Sequence, residues 1–101
     1  MDMKKMMKQA QMMQRNLNAV QDELALMDHT ADAGGGMVSA TVSGKMELTN
    51  LEIKKEAVDP EDIEMLQDLV VAAVNEALRG MQQISEQKMS SVTGGMNIPG
   101  F

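Results

Sequence analysis

The sequence predicts an α+β fold: a long N-terminal helix, a short antiparallel β unit and a long C-terminal helix. Three features carry that prediction. Apolar residues first recur at alternating spacings of three and four, at Met3, Met6, Ala10, Met13, Leu17, Val20, Leu24 and Met27, which is a heptad stripe. From Met37 the period drops to two, as in a half-buried strand. Asp59-Pro60-Glu61-Asp62 then opens a second helical stretch that runs to about Ser90.

The first helix keeps its charges off the stripe. With Met3 at position a, Lys4, Lys5, Lys8 and Arg15 fall at the outward b, c and f positions, while e and g carry mainly amides and acids. Such a helix buries one face against another helix and holds a positive patch away from the seam. A helix over residues 3–27 is about 36 Å long at 1.5 Å per residue, more than the core of a 101-residue chain covers. A second copy of the chain is the economical cover, so the sequence predicts a homodimer.

Composition narrows the function classes. The chain lacks cysteine, which excludes disulfides and thiol chemistry. It holds a single aromatic residue, Phe101, so Met, Leu, Val and Ala contacts must supply the core. No apolar run approaches the ~20 residues of a membrane span, and no uninterrupted apolar segment suggests a secretory leader. The formal net charge is −6, divided as +3 over residues 1–15 and −9 over the rest. Acidity of that size argues against nucleic acid as a partner on total charge, because phosphate neutralisation drives such binding. The polarity of the distribution argues the other way.

The helix is expected to stop near Asp28, since His29 to Gly36 shows no periodicity and ends in three glycines. Val38, Ala40 and Val42 then alternate with Ser39, Thr41 and Ser43. Gly44-Lys45 reads as a tight hairpin turn with glycine at its first central position. Met46 and Leu48 continue the alternation, but Leu51 and Ile53 have the opposite parity, so a bulge is expected near Thr49-Asn50. In the second helix Asp59 is the expected N-cap and Pro60 the first helical residue. Its stretch Leu69 to Val74 is apolar all round, which predicts enclosure on several sides, and Gly80 suggests close packing or a bend. The expected segments are thus an arm over 1–28, a β unit over 37–55, a second helix over 60–90 and a flexible tail over 91–101.

Candidate sites are few. Gly34-Gly35-Gly36 follows a helix and opens a strand, the reverse of a phosphate-cradling loop, so it reads as a hinge or a tight entry to the strand. His29, beside Asp28 and Asp32, offers one nitrogen where a metal centre needs three or four ligands; it suits a helix C-terminus instead. Glu61, Asp62 and Glu64 sit where a helix N-terminus favours negative charge, and no histidine or cysteine lies near to activate a nucleophile. Catalysis, metal and cofactor are therefore not expected. Lys45, Lys54 and Lys55 are interleaved with Glu47, Glu52 and Glu56, the pattern of ordinary surface pairing. Of thirteen methionines six fall within the first thirteen residues, and Met7 and Met12 lie off the strict seam, as on an adaptable binding surface.

The ordered set of segments resembles the YbaB/EbfC family of nucleoid-associated proteins over nearly the whole chain. The likeness rests on Lys8-Gln9-Ala10-Gln11-Met12-Met13-Gln14, on Ala33-Gly34-Gly35-Gly36 before a Val-bearing strand, on Gly44-Lys45 and on Asp59-Pro60-Glu61-Asp62. It rests equally on Glu64 through Ala77, and on Lys88-Met89 followed by Thr93-Gly94-Gly95. The resemblance implies a bacterial, cytoplasmic, nucleoid-associated homodimer that binds double-stranded DNA and has no enzyme activity. Paired strands and second helices would form its body and first helices its arms. Carried over by position, the DNA-facing residues are Lys4, Lys5, Lys8 and Arg15, with Arg79 and Lys88 from the second helix. The dimer interface takes Met6, Ala10, Met13, Leu17, Val20 and Leu24 from the arm and Val70 and Val74 from the second helix. Ser39, Thr41, Leu78, Gly80 and Met81 stand where relatives often carry further basic residues.

The expected function is duplex binding by a homodimer, mainly through phosphates and with low sequence selectivity. A protein-binding adaptor or chaperone-like dimer using the Met-rich helical surfaces is the alternative. A membrane-surface arm needs a larger apolar face than a buried seam leaves, and nothing suggests a small-molecule substrate.

Overall fold

The computed structural model describes residues 2–93. In chain order it contains α1 (Met3–Ala25), β1 (Asp28–Ala33), β2 (Val38–Ser43), β3 (Leu48–Ile53), a single 3-10 turn (Lys55–Ala57) and α2 (Ile63–Thr93). The molecule is elongated, with principal extents of 71 × 27 × 16 Å. The strands form one antiparallel sheet in the order β1-β2-β3.

Three local expectations are corrected. The stretch after α1 is a strand: β1 pairs with β2 from Asp28 opposite Ser43 to Ala33 opposite Val38, and Gly34 to Gly36 form the turn between them, all at positive φ. His29 therefore sits in a strand rather than at a helix C-terminus. The helical start at Asp59-Pro60 is a turn, because the Asp59 side chain accepts the Glu61 N–H at 3.0 Å and its carbonyl accepts the Asp62 N–H at 2.9 Å. Asp62 caps α2 instead, its Oδ1 accepting the Met65 N–H at 3.2 Å. At the other end α2 runs on to Thr93, through part of the expected tail; the remainder of that tail, 94–101, lies outside the described residues.

The bulge falls where the parity change placed it. Thr41 faces Asn50 and Val42 faces Leu48, which leaves Thr49 as the extra residue of β3. Leu48, Leu51 and Ile53 thereby share a face with Val42, Ala40 and Val38.

The core lies on that face. Val38, Ala40 and Val42 of β2 meet Ala73, Ala77 and Met81 of α2, all fully buried. The α2 residues recur at intervals of four, one stripe of a helix. Helix and sheet approach closely because small residues line the contact: a Cβ on Gly80 would lie 2.1 Å from His29 Nε2. Gly80 thus marks close packing.

Gly44 answers to the same constraint. The left-handed residue of the β2–β3 turn is Met46 (φ 62°), and Gly44 has no positive φ. Its glycine is needed for approach: a Cβ there would sit 1.7 Å from the Leu24 carbonyl oxygen, while the Gly44 N–H donates to the Met27 carbonyl at 3.0 Å. Backbone cannot step aside as a side chain can, so Gly44→Ala is expected to destabilise by roughly 3 kcal/mol and to lower Tm by more than about 10 °C in a thermal melt. Gly35→Ala is the control. A Cβ there meets nothing within 4 Å, so only the left-handed φ penalty of about 1 kcal/mol remains.

Candidate nucleic-acid interface

α1 is capped by Asp2, whose side chain accepts the Lys4 N–H at 3.1 Å, and ends where the Leu26 N–H returns to the Glu23 carbonyl and the Met27 N–H to the Leu24 carbonyl. Its C-terminal half is covered within the chain. Leu24 is 4% exposed, Met13, Leu17 and Val20 are half-buried, and Lys88 Nζ reaches Glu23 Oε2 at 3.1 Å to tie α1 to the end of α2. Val92 of α2 shares a groove with Met12, Met13 and Asn16. The N-terminal half is open: Met3, Met6 and Ala10 are all exposed. The stripe thus needs less intermolecular cover than its length suggested, because α2 is long enough to lie beside its lower half.

The opposite side of α1 carries the positive charge. Lys4, Lys8 and Arg15 stand at i, i+4 and i+11, so they line one side of the helix, with Lys5 a quarter turn around. All four are exposed, and among the described residues no carboxylate pairs with any of them. Gln11 and Asn18 complete the same row, which ends in a carboxylate at Asp22.

The two basic residues expected from α2 behave differently. Arg79 donates to Glu76, three residues back, and Lys88 is held by Glu23. Nine residues apart, they also stand on opposite sides of α2. The structure brings Lys88 beside α1 and leaves Arg79 away from it, with both charges already matched.

A further surface emerges only in the folded chain. α2 packs over β1 and β2 and leaves β3 uncovered, every residue of which is exposed. Leu48 (47%), Leu51 (37%) and Ile53 (41%) form its open apolar floor, and Val71 (58%) stands on α2. Leu69 and Gly80 face Gly34 and His29, so the helical period turns Val71, Val74 and Leu78 toward the β3 side. The apolar stretch Leu69 to Val74 is therefore enclosed on one side only, with Val70 and Val74 half-buried against the sheet. The parity shared by Leu48, Leu51 and Ile53 after the bulge was the available signal.

A sheet with one long helix across it, and a second helix presenting an unpaired basic row, defines a small α+β protein with its charge polarised toward one end. The chain belongs to the YbaB/EbfC DNA-binding family, whose model matches residues 1–96. It is similar to a nucleoid-associated protein of Alkaliphilus metalliredigens, 54% identical over 99% of this chain and 88% of that one. A nucleoid-associated protein of Clostridium acetobutylicum is 50% identical, over 99% of this chain and 89% of that one. Among solved structures, an uncharacterized protein of Helicobacter pylori matches with a TM-score of 0.75 at 25% identity, covering 86% of this chain and 91% of that chain.

Proposed function

We propose that this protein is a nucleoid-associated, cytoplasmic DNA-binding protein that grips duplex DNA as a homodimer, chiefly through phosphates and with little sequence selectivity. The unpaired row of Lys4, Lys8 and Arg15, with Lys5 beside it, carries this reading. Elsewhere the chain is strongly acidic, so the arm is the surface a polyanion can approach. Lys4, Lys5, Lys8 and Arg15 are the phosphate contacts; Arg79 and Lys88 contribute only if DNA displaces Glu76 and Glu23, which makes them secondary.

The homodimer is proposed through the β3 face. The exposed Leu48, Leu51, Ile53 and Val71 form an apolar trough beside a free strand edge, and bare edges of this kind are ordinarily covered. Val70 and Val74 border that trough. Met6 and Ala10, on the open end of α1, add to the dimer only where the arms approach one another; Leu24 is covered within the chain, and Met13, Leu17 and Val20 are half-buried there.

Salt dependence tests the mechanism. For duplex DNA, log K falls against log salt by about 0.9 per phosphate neutralised. Four residues on each of two arms set a ceiling near −7, and repulsion from the acidic body lowers it, so the expected slope lies between about −2 and −5. Fluorescence anisotropy with a random-sequence duplex over a range of salt reads it directly. A salt-insensitive interaction would instead favour apolar contacts through Met7 and Met12, both exposed, and with them the adaptor reading.

A further inference from the structure

The amides of α1 are not equivalent. Both asparagines are exposed, but Asn16 lines the groove shared with Val92 of α2, whereas Asn18 stands in the row of Lys4, Lys8, Gln11 and Arg15. Gln14 Nε2 donates to Asn18 Oδ1 at 3.2 Å. That bond uses one lone pair of the oxygen and restrains the carboxamide, and the exposed side chain keeps a second lone pair and both Nδ2 hydrogens for a ligand. An acceptor and a donor side by side match the N6 amino group and N7 of adenine in the major groove.

We propose that Asn18, held in orientation by Gln14, reads adenine in the major groove, so that the arm is a weak base-reading helix as well as a phosphate clamp. The inference rests on the DNA-binding reading and adds to it a modest preference for A·T pairs. The row from Lys4 to Asn18 spans about 21 Å, close to six base pairs, and a single helix fits the major groove. Lys4 and Lys8 lie toward the open tip, where long cationic side chains reach phosphates on the groove walls. The shorter Asn18 meets the floor. Asp22, one turn beyond, repels the backbone and ends the contact.

The test is anisotropy of the full chain on a mixed-sequence duplex and on the same duplex with every adenine replaced by 7-deazaadenine. That change keeps pairing and phosphate charge but deletes the N7 acceptor. The parent protein is expected to bind the substituted duplex at least about fivefold more weakly. Asn18→Ala should bind the two duplexes alike with an unaltered salt slope. Gln14→Ala, which keeps Asn18 but frees it, should retain only part of the discrimination. Equal binding of both duplexes by the parent, with strong salt dependence, overturns base reading while phosphate binding stands. Discrimination that survives Asn18→Ala assigns the reading to another side chain and also overturns the proposal. Absence of salt-sensitive binding to either duplex removes the underlying function with it.

Discussion

Replacing Lys4, Lys5, Lys8 and Arg15 together with glutamate is expected to abolish duplex binding while leaving the fold in place. Each substitution moves the charge by two, which takes the chain from −6 to about −14 and turns the arm from a counterion for phosphate into a repellent. Non-specific affinity for DNA is almost wholly electrostatic, so the loss should reach at least about a hundredfold at low salt. Folding should hardly notice: the four side chains are exposed and unpaired, and acidic residues near the start of α1 suit the helix dipole. Circular dichroism and thermal melting establish the second half of that expectation, anisotropy the first. If the variant binds DNA as well as the parent, the arm is not the interface and Lys45, Lys54 and Lys55 become the next candidates.

The second large effect concerns assembly. Leu51→Asp combined with Val71→Asp should convert the proposed dimer to a folded monomer. Both side chains are exposed within a single chain, so charge there costs the monomer little. Full burial of such a side chain contributes about 1.5–3 kcal/mol, but Leu51 keeps 37% and Val71 58% of its surface open in the single chain, and each counts twice by symmetry. The combined loss, roughly 3–6 kcal/mol before any charge is desolvated, is a large part of the 8.2 kcal/mol of a micromolar complex. Sedimentation equilibrium reads the outcome. A variant that remains dimeric would move the interface off β3 and back to Met3, Met6 and Ala10 on the open half of α1.

Period and parity made much of the fold legible in the sequence. The stripe of α1, the alternation of β2 and the slip that becomes the bulge at Thr49 are all patterns of large apolar against polar residues. β1 escaped because its core-facing positions are His29, Ala31 and Ala33, too small or too polar to register as an apolar face. The physical reason lies across the interface, in Ala73, Ala77 and Gly80. Small residues facing small residues bring helix and strand together without the hydrophobic contrast that a periodicity search detects. Gly44 misled for a related reason, since glycine serves a tight turn and a close approach equally well.

The candidate site divides in the same way. The basic row follows from helical spacing alone. The engagement of Lys88 does not, because Glu23 is far away in sequence and becomes a neighbour only when α2 returns alongside α1. For Arg79 the partner was in view at i−3. The open β3 face was hidden by length: α2 is broad enough for two strands, and nothing in one strand's alternation reveals which strands a helix will cover.

α2 has one further consequence, a mechanical one. It is a single rod of 31 residues, about 46 Å long. One end is bedded in the sheet and the other backs the arm, with no joint between. From Ala73 to its far end the rod extends about 30 Å, so a one-degree rocking of its seat displaces that end by about 0.5 Å. In the proposed dimer, substitutions at Ala73 or Ala77, remote from the basic row, would therefore shift the gauge between the two sets of arm charges. The alanines of the core act as the bearing of this instrument, and its calibration is set where the helix meets the strand.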